Sequence, residues 1–346
     1  MEIKKSRRSF LQTAGAAGLA AAVGNVDAAF ADSVAENTAR RFHCVQIDVF
    51  TSHRLEGNPL AVFTDARGLS DDEMQGLARE TNLQETTFVF PRDAATEREQ
   101  GVKVRIFVPE EEIPFGGHPT LGTSMVLRDM RLAAEKSGVK NAGVERITLD
   151  LKVGKVPVDF HTDESGEVFG EMHQVDPKFG DVHDRETIAS LLNLSPDDIS
   201  SDAPIQTVWT GLYFIIVPIK NLATLQRLKT APPKAYEYLN RQKVDPALAD
   251  FYYVTRDTGD PGIGLRTRGL FAASEDPATG SASGCTSAWM VRYGIAKPEQ
   301  TVHILQGVEI KRPSHIFVRA GKEGDAVKDV RVGGHAARIM EATYSL

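Results

Sequence analysis

The sequence predicts an α+β protein of two similar halves in which strands outnumber amphipathic helices. Three observations predict it. Residues 42–50 and 102–108 alternate apolar and polar side chains as half-buried strands do, and 147–160 reads as two strands around Gly154. The regular strand–helix alternation of a doubly wound parallel sheet is absent. The third is an internal echo. His118-Pro119-Thr120-Leu121-Gly122-Thr123-Ser124 matches Asp276-Pro277-Ala278-Thr279-Gly280-Ser281-Ala282 in the frame x-Pro-x-x-Gly-[ST]-[SA], 276 − 118 = 158 residues on. That spacing is half of the 346 − 31 = 315 residues left if the first 31 are removed.

Removal is expected because the N-terminus reads as a twin-arginine export signal. Ser6-Arg7-Arg8-Ser9-Phe10-Leu11 precedes a weakly apolar stretch, 14–23, and Ala29-Phe30-Ala31 has the small-residue pattern of a cleavage site. The apolar stretch is shorter than the roughly 20 residues that a membrane span needs. The expected location is the periplasm, with no stable membrane association after cleavage. The chain carries 40 Lys+Arg against 47 Asp+Glu, an acidic balance that argues against nucleic acid as a partner. Two cysteines exclude a disulfide-rich scaffold and a cysteine-based structural zinc site.

The elements follow in order. Gly57-Asn58-Pro59 reads as a turn and 60–63 as a short buried strand. Ser70 with Glu73 forms a capping box, Leu69 and Met74 occupy the staple positions, and Met74, Leu77 and Ala78 give one apolar stripe, so a helix is expected to end near Asn82. The β-branched and aromatic run 86–90 reads as a strand. In each copy of the echo, Pro fits the first helical position, which places His118 and Asp276 at the N-caps. Small residues then allow close packing around a buried helix, and Gly294 stands at the C′ position of the second. Two such N-termini facing one cleft would hold a small carboxylate on their free N–H groups.

The sequence lacks a phosphate loop, an H-x-x-x-H face and a nucleophile elbow, since Ala282 occupies the serine position in Gly280-Ser281-Ala282-Ser283-Gly284. No metal or organic cofactor is therefore expected. Glu85, His118 and Asp276 stand at element junctions with few charged neighbours, a set suited to proton transfer at carbon. Each also has a plain structural reading, as an edge-strand charge, a loop histidine and an N-cap.

Gly57-Asn58-Pro59-Leu60-Ala61-Val62, Asn82-Leu83-Gln84-Glu85-Thr86-Thr87-Phe88-Val89, Gly117-His118-Pro119-Thr120-Leu121-Gly122 and Asp276-Pro277-Ala278-Thr279-Gly280-Ser281 resemble the signature blocks of the PhzF family of phenazine biosynthesis-like isomerases. Gln306-Gly307, Arg312-Pro313-Ser314 and Val332-Gly333-Gly334 fit its closing blocks. The resemblance implies a diaminopimelate epimerase-like fold of two pseudo-symmetric domains, each a mostly antiparallel, barrel-like sheet around a central helix. The expected division is 42–161 with 334–346, and 162–333. It also implies cofactor-free isomerisation of the trans-2,3-dihydro-3-hydroxyanthranilate type. Glu85 is then the acid/base, His118 and Asp276 support it, Gly117, Gly280 and Ser281 line the substrate carboxylate site, and Gln84 is a further substrate-binding residue. A homodimer is expected on the same ground. Asp276 stands where the epimerase carries a catalytic cysteine, so cysteine-based racemisation is not expected, and Cys285 reads as a packed small residue. Two departures bear on specificity: Lys311 stands where the family usually has Gly, and Gln84 where Ser or Ala is more usual. A lyase or hydratase on the same frame and a non-catalytic periplasmic anion-binding protein are the alternatives.

Overall fold

A computed structural model of the chain describes residues 39–136, 144–241, 249–271 and 274–346, so the export signal lies outside the described residues. The first series of elements is β1 (Arg41–Val49), β2 (Asn58–Phe63), α1 (Asp71–Thr81), β3 (Glu85–Phe90), α2 (Ala94–Gln100), β4 (Val102–Phe107), β5 (Glu112–Ile113), α3 (Gly117–Lys136), β6 (Arg146–Leu151), β7 (Gly154–Thr162) and β8 (Val168–His173). The second is β9 (Lys178–His183), α4 (Arg185–Leu192), β10 (Ile205–Trp209), β11 (Tyr213–Pro218), α5 (Leu222–Arg227), α6 (Pro233–Asn240), β12 (Ala249–Thr255), β13 (Leu265–Leu270), β14 (Glu275–Asp276), α7 (Gly280–Arg292), β15 (Val302–Gln306), β16 (Ser314–Glu323) and β17 (Ala326–Gly334), followed by β18 (Ala336–Ser345).

Strand pairing repeats between the two series. β1–β2 is antiparallel, β2–β3 parallel, β3–β4 antiparallel and β4–β6 parallel, and β6, β7 and β8 follow antiparallel. From β10 the same order recurs: β10–β11 antiparallel, β11–β12 parallel, β12–β13 antiparallel, β13–β15 parallel, then β15, β16 and β17 antiparallel. β9 flanks β10 as β18 flanks β1. The equivalent strands β8 and β17 pair with each other and join the two series. The architecture is α+β with two pseudo-symmetric halves.

The repeat has a different register from the x-Pro-x-x-Gly echo. β4 and β13 begin at Val102 and Leu265, β5 and β14 at Glu112 and Glu275, and α3 and α7 at Gly117 and Gly280, each 265 − 102 = 163 residues apart. Side chains keep this offset. Arg105 binds Glu112 as Arg268 binds Glu275. Thr120 Oγ1 donates to the Gly116 carbonyl at 2.7 Å and Ser283 Oγ to that of Thr279 at 2.8 Å. The echo is thus five residues out of register (163 − 158), because Pro is tolerated both in the first turn, where Pro119 lies, and in the loop before a helix, where Pro277 lies. The expected N-caps move with it. His118 is the second residue of α3, inside its first turn. Asp276 belongs to β14, paired with Gly269, and Thr279 is the N-cap of α7. The Gly57-Asn58-Pro59 turn is also shorter than read, since Asn58 and Pro59 already belong to β2.

Other local signals have the expected form. Ser70 and Glu73 make the reciprocal capping box, and Asn82, left-handed at φ 50°, ends α1. Gly294 is left-handed at φ 70° just beyond α7, and the Ile295 N–H closes the turn on Met290 at 2.9 Å. α3 packs against β2, β3, β6, β7 and β8, and α7 against β10, β11, β16 and β17, so each half curls around one helix. α7 is buried from Gly280 to Val291, and Cys285 is packed within it. A helix buried on all sides needs no amphipathic stripe.

Candidate active site

Two helix N-termini and two strand starts build the site. β2 and β3 are parallel neighbours, so their first residues, Asn58 and Glu85, lie at the same end of the sheet. Asn82 turns the chain out of α1, and Thr81 Oγ1 lies 2.7 Å from Thr86 Oγ1, which ties the helix end to β3 just beyond Glu85. The starts of α3 and α7 touch. A Cβ on Gly117 would lie 2.5 Å from the Gly280 carbonyl carbon and 2.5 Å from the Ser281 nitrogen. Only glycine permits that approach.

Four side chains converge there. Asn58, fully buried, directs its amide nitrogen at Asp276 Oδ1 (2.7 Å), the Ala278 carbonyl (3.0 Å) and His118 Nδ1 (3.0 Å). His118 Nε2 lies 3.3 Å from Glu85 Oε2. That contact lacks hydrogen-bond alignment, and both atoms are buried with no hydrogen-bond partner among the described residues. Asp276 Oδ2 accepts from Thr279 Oγ1 at 2.6 Å. Behind it, Gln306 donates to the Asp276 carbonyl (2.8 Å) and to Thr279 Oγ1 (2.9 Å), accepts from the Thr279 N–H (3.1 Å), and also accepts from the Tyr252 hydroxyl (2.7 Å).

Burial sets the charge states. Desolvation holds the Glu85 carboxyl well above its usual range, and the nearby Asp276 charge adds to this. Asp276 is also raised by burial, against the pull of its Thr279 and Asn58 hydrogen bonds. Desolvation pushes His118 down to about 3, so its imidazole is neutral at ordinary pH. Raised carboxyl values bring this chemistry toward neutral pH, where an acid/base group needs both protonation states.

The structure therefore brings Glu85, His118, Asp276, Gly117, Gly280 and Ser281 together. Gln84 stands at the rim, where its amide donates to Ser274 Oγ at 3.0 Å, one residue before β14. Sequence reasoning missed Asn58, Thr279, Tyr252 and Gln306 as site residues. Asn58 did carry a signal, a polar residue opening an apolar strand. Tyr252 carried none, because Phe251-Tyr252-Tyr253 reads as ordinary buried strand. A surface cavity of about 440 Å³, lined in part by Lys103, Arg105, Glu112 and Lys152, holds none of these residues. Among the described residues no group of three or more His, Cys, Asp or Glu side chains is arranged to hold a metal ion.

The sequence profile of the phenazine biosynthesis-like PhzC-PhzF proteins matches residues 47–342. The chain belongs to this family. It is 32% identical over 310 residues to a trans-2,3-dihydro-3-hydroxyanthranilate isomerase of Pseudomonas chlororaphis, covering 88% of this chain and 99% of that one. Among solved structures, a PhzF-family protein of Bacillus anthracis superposes with a TM-score of 0.73 at 26% identity, covering 89% of this chain and all of the other. A predicted epimerase of Pseudomonas aeruginosa gives 0.70 at 32% identity, covering 88% and 99%. This PhzC-PhzF member is an isomerase, with the family's two-half architecture around the site just described.

Proposed function

We propose that this isomerase shifts a proton between two carbons of a small carboxylate-bearing substrate, with Glu85 as the shuttle. The observation that carries the reading is the pair of unpartnered, buried atoms, Glu85 Oε2 and His118 Nε2, facing each other at 3.3 Å where α3 and α7 meet. Glu85 takes the proton from one carbon, the C–H electron pair moves into a new double bond, and the old double bond accepts the proton from Glu85 two carbons away. The first-turn N–H groups of Gly117, Gly280 and Ser281 suit the substrate carboxylate. Gln84 borders it, His118 faces Glu85, and the Asp276 charge helps keep the Glu85 carboxyl protonated to higher pH. The compound named for the Pseudomonas chlororaphis relative is the first substrate to assay.

Turnover in deuterated water tests the reading. The chain should place solvent deuterium on substrate carbon, and Glu85→Gln should lose at least about 10²-fold in rate while keeping its fold, since an amide cannot take up the proton. Undiminished exchange in Glu85→Gln removes Glu85 from the mechanism. A product lighter by one water supports a lyase instead, and binding with no exchange supports an anion-binding protein.

The same proposal includes twin-arginine export to the periplasm, supported by Ser6-Arg7-Arg8-Ser9-Phe10-Leu11, and a homodimer, supported by family resemblance. Secretion of a leader–reporter fusion by a strain lacking the twin-arginine translocase, or gel filtration at monomer mass, overturns each in turn. In this proposal the two domains are 42–173 with 334–346, and 174–333; a boundary later than the expected 161 is supported by β8, which repeats the pairing of β17.

A further inference from the structure

Asn58 lies outside the three acid/base groups, yet it touches two of them. Its amide nitrogen lies 3.0 Å from the Ala278 carbonyl, which can only accept, so the atom facing that oxygen is the NH2 and the side-chain orientation follows. The same nitrogen lies 2.7 Å from Asp276 Oδ1 and 3.0 Å from His118 Nδ1. An amide NH2 has two protons, so one of them is shared between two of these three acceptors, and it has no lone pair to offer. A proton on His118 Nδ1 would set N–H against N–H at 3.0 Å, so Nδ1 must present its lone pair. A neutral imidazole then carries its one proton on Nε2, the nitrogen 3.3 Å from Glu85 Oε2.

We propose that Asn58 is a positioning residue that fixes His118 in the Nε2–H tautomer and, through the same NH2, hydrogen-bonds the Asp276 carboxyl of the opposite half. The inference rests on the proton-shift reading above and deepens it. His118 faces the reaction as a neutral donor, and Glu85 is left as the group that moves the proton. Asn58 and Asp276 are 218 residues apart in the chain, so one amide also locks the two halves in register at the site.

The test is long-range ¹H–¹⁵N NMR of the full chain labelled with ¹⁵N-histidine, with the His118 signals assigned by their loss in His118→Gln. In the parent, His118 should be neutral with its proton on Nε2 at neutral pH. Asn58→Asp replaces the donor with an acceptor of the same shape and should move the proton to Nδ1. Asn58→Leu removes the donor and should leave a mixture of tautomers. Asn58→Ser serves if Leu prevents folding, as judged by near-ultraviolet circular dichroism. With substrate, each variant should lose at least about 10-fold in kcat with little change in KM, the pattern of an interaction made in the transition state. A parent His118 protonated on Nδ1, or a tautomer unchanged in every Asn58 variant, overturns the proposal. If the tautomer follows Asn58 while Glu85→Gln keeps full turnover, the isomerase reading falls and the Asn58 assignment stands. If Glu85→Gln abolishes turnover while the tautomer ignores Asn58, the reverse holds.

Discussion

Glu85 loses water on folding and gains no hydrogen bond to Oε2, so the folded chain keeps its proton to higher pH than the unfolded chain does. A raised carboxyl contributes stability that is full below the unfolded value, near 4.5, and is lost as pH rises through the folded one. Glu85→Gln should therefore melt above the parent at pH 8, and the gap should narrow toward pH 4. His118 has the opposite limb. Its folded value is depressed from 6.5 to about 3, so its contribution is lost as pH falls through that window. His118→Gln should flatten the fall of melting temperature on the acid side. Thermal unfolding from pH 3 to 8 checks both signs, and parallel curves for parent and variants would contradict them. Lys311 offers a simpler case. It adopts φ 61° and ψ 31°, the left-handed conformation that glycine takes without strain. Lys311→Gly should stabilise the fold by about 0.5–1 kcal/mol after the entropy cost of glycine, read as a shift in denaturant midpoint at constant slope.

At the scale of the element, the starts of α3 and α7 approach closely, and that approach depends on an absent side chain. Gly117→Ala would drive a methyl group into the Gly280 and Ser281 backbone, which cannot rotate away as a side chain would. We expect a loss of several kcal/mol, within the upper range for single substitutions, or displaced helix starts with abolished turnover. Gly76 provides the contrast. It lies inside α1, and a Cβ there meets nothing within 4 Å. Gly76→Ala should stabilise by about 0.5–1 kcal/mol, because alanine loses less backbone freedom in a helix. The same chemical change thus takes opposite signs at two helical glycines. Equal melting shifts for both would refute the packing argument.

Across the whole molecule the pseudo-twofold repeat supplies an internal control. Arg105–Glu112 and Arg268–Glu275 occupy equivalent places, but the first pair is 22% and 23% exposed and the second 8% and 9%. Arg268 also donates to the carbonyls of Leu225, Gln226 and Leu228. Replacing Arg268 by Met leaves a buried, unpaired Glu275 and should cost about 3–5 kcal/mol. Arg105→Met leaves Glu112 partly in water and should cost about 1 kcal/mol or less. Denaturant unfolding of the two variants measures the difference, and matched losses would show that burial does not set the cost. The Arg268 variant should also disturb the site, since Glu275 immediately precedes Asp276 in β14.

The sequence by itself determined what local chemistry determines. The α1 capping box and the Asn82 and Gly294 helix ends rest on contacts within a few positions along the chain, and the alternating strands and the two small-residue helices are legible as local side-chain patterns. It also indicated two similar halves, although the echo that suggested them was five residues out of register. Helix-start residues mark a kind of place and carry no coordinate for it. Only the tertiary structure decided that Gly117 meets Gly280, that Asp276 is held in a strand rather than at a helix cap, and that Asn58 bridges His118 and Asp276. The physical reason is that strand periodicity states which face is buried and leaves the partner open. Contacts between residues 218 apart, such as Asn58 with Asp276, follow from the order in which strands pair, which only the assembled core selects.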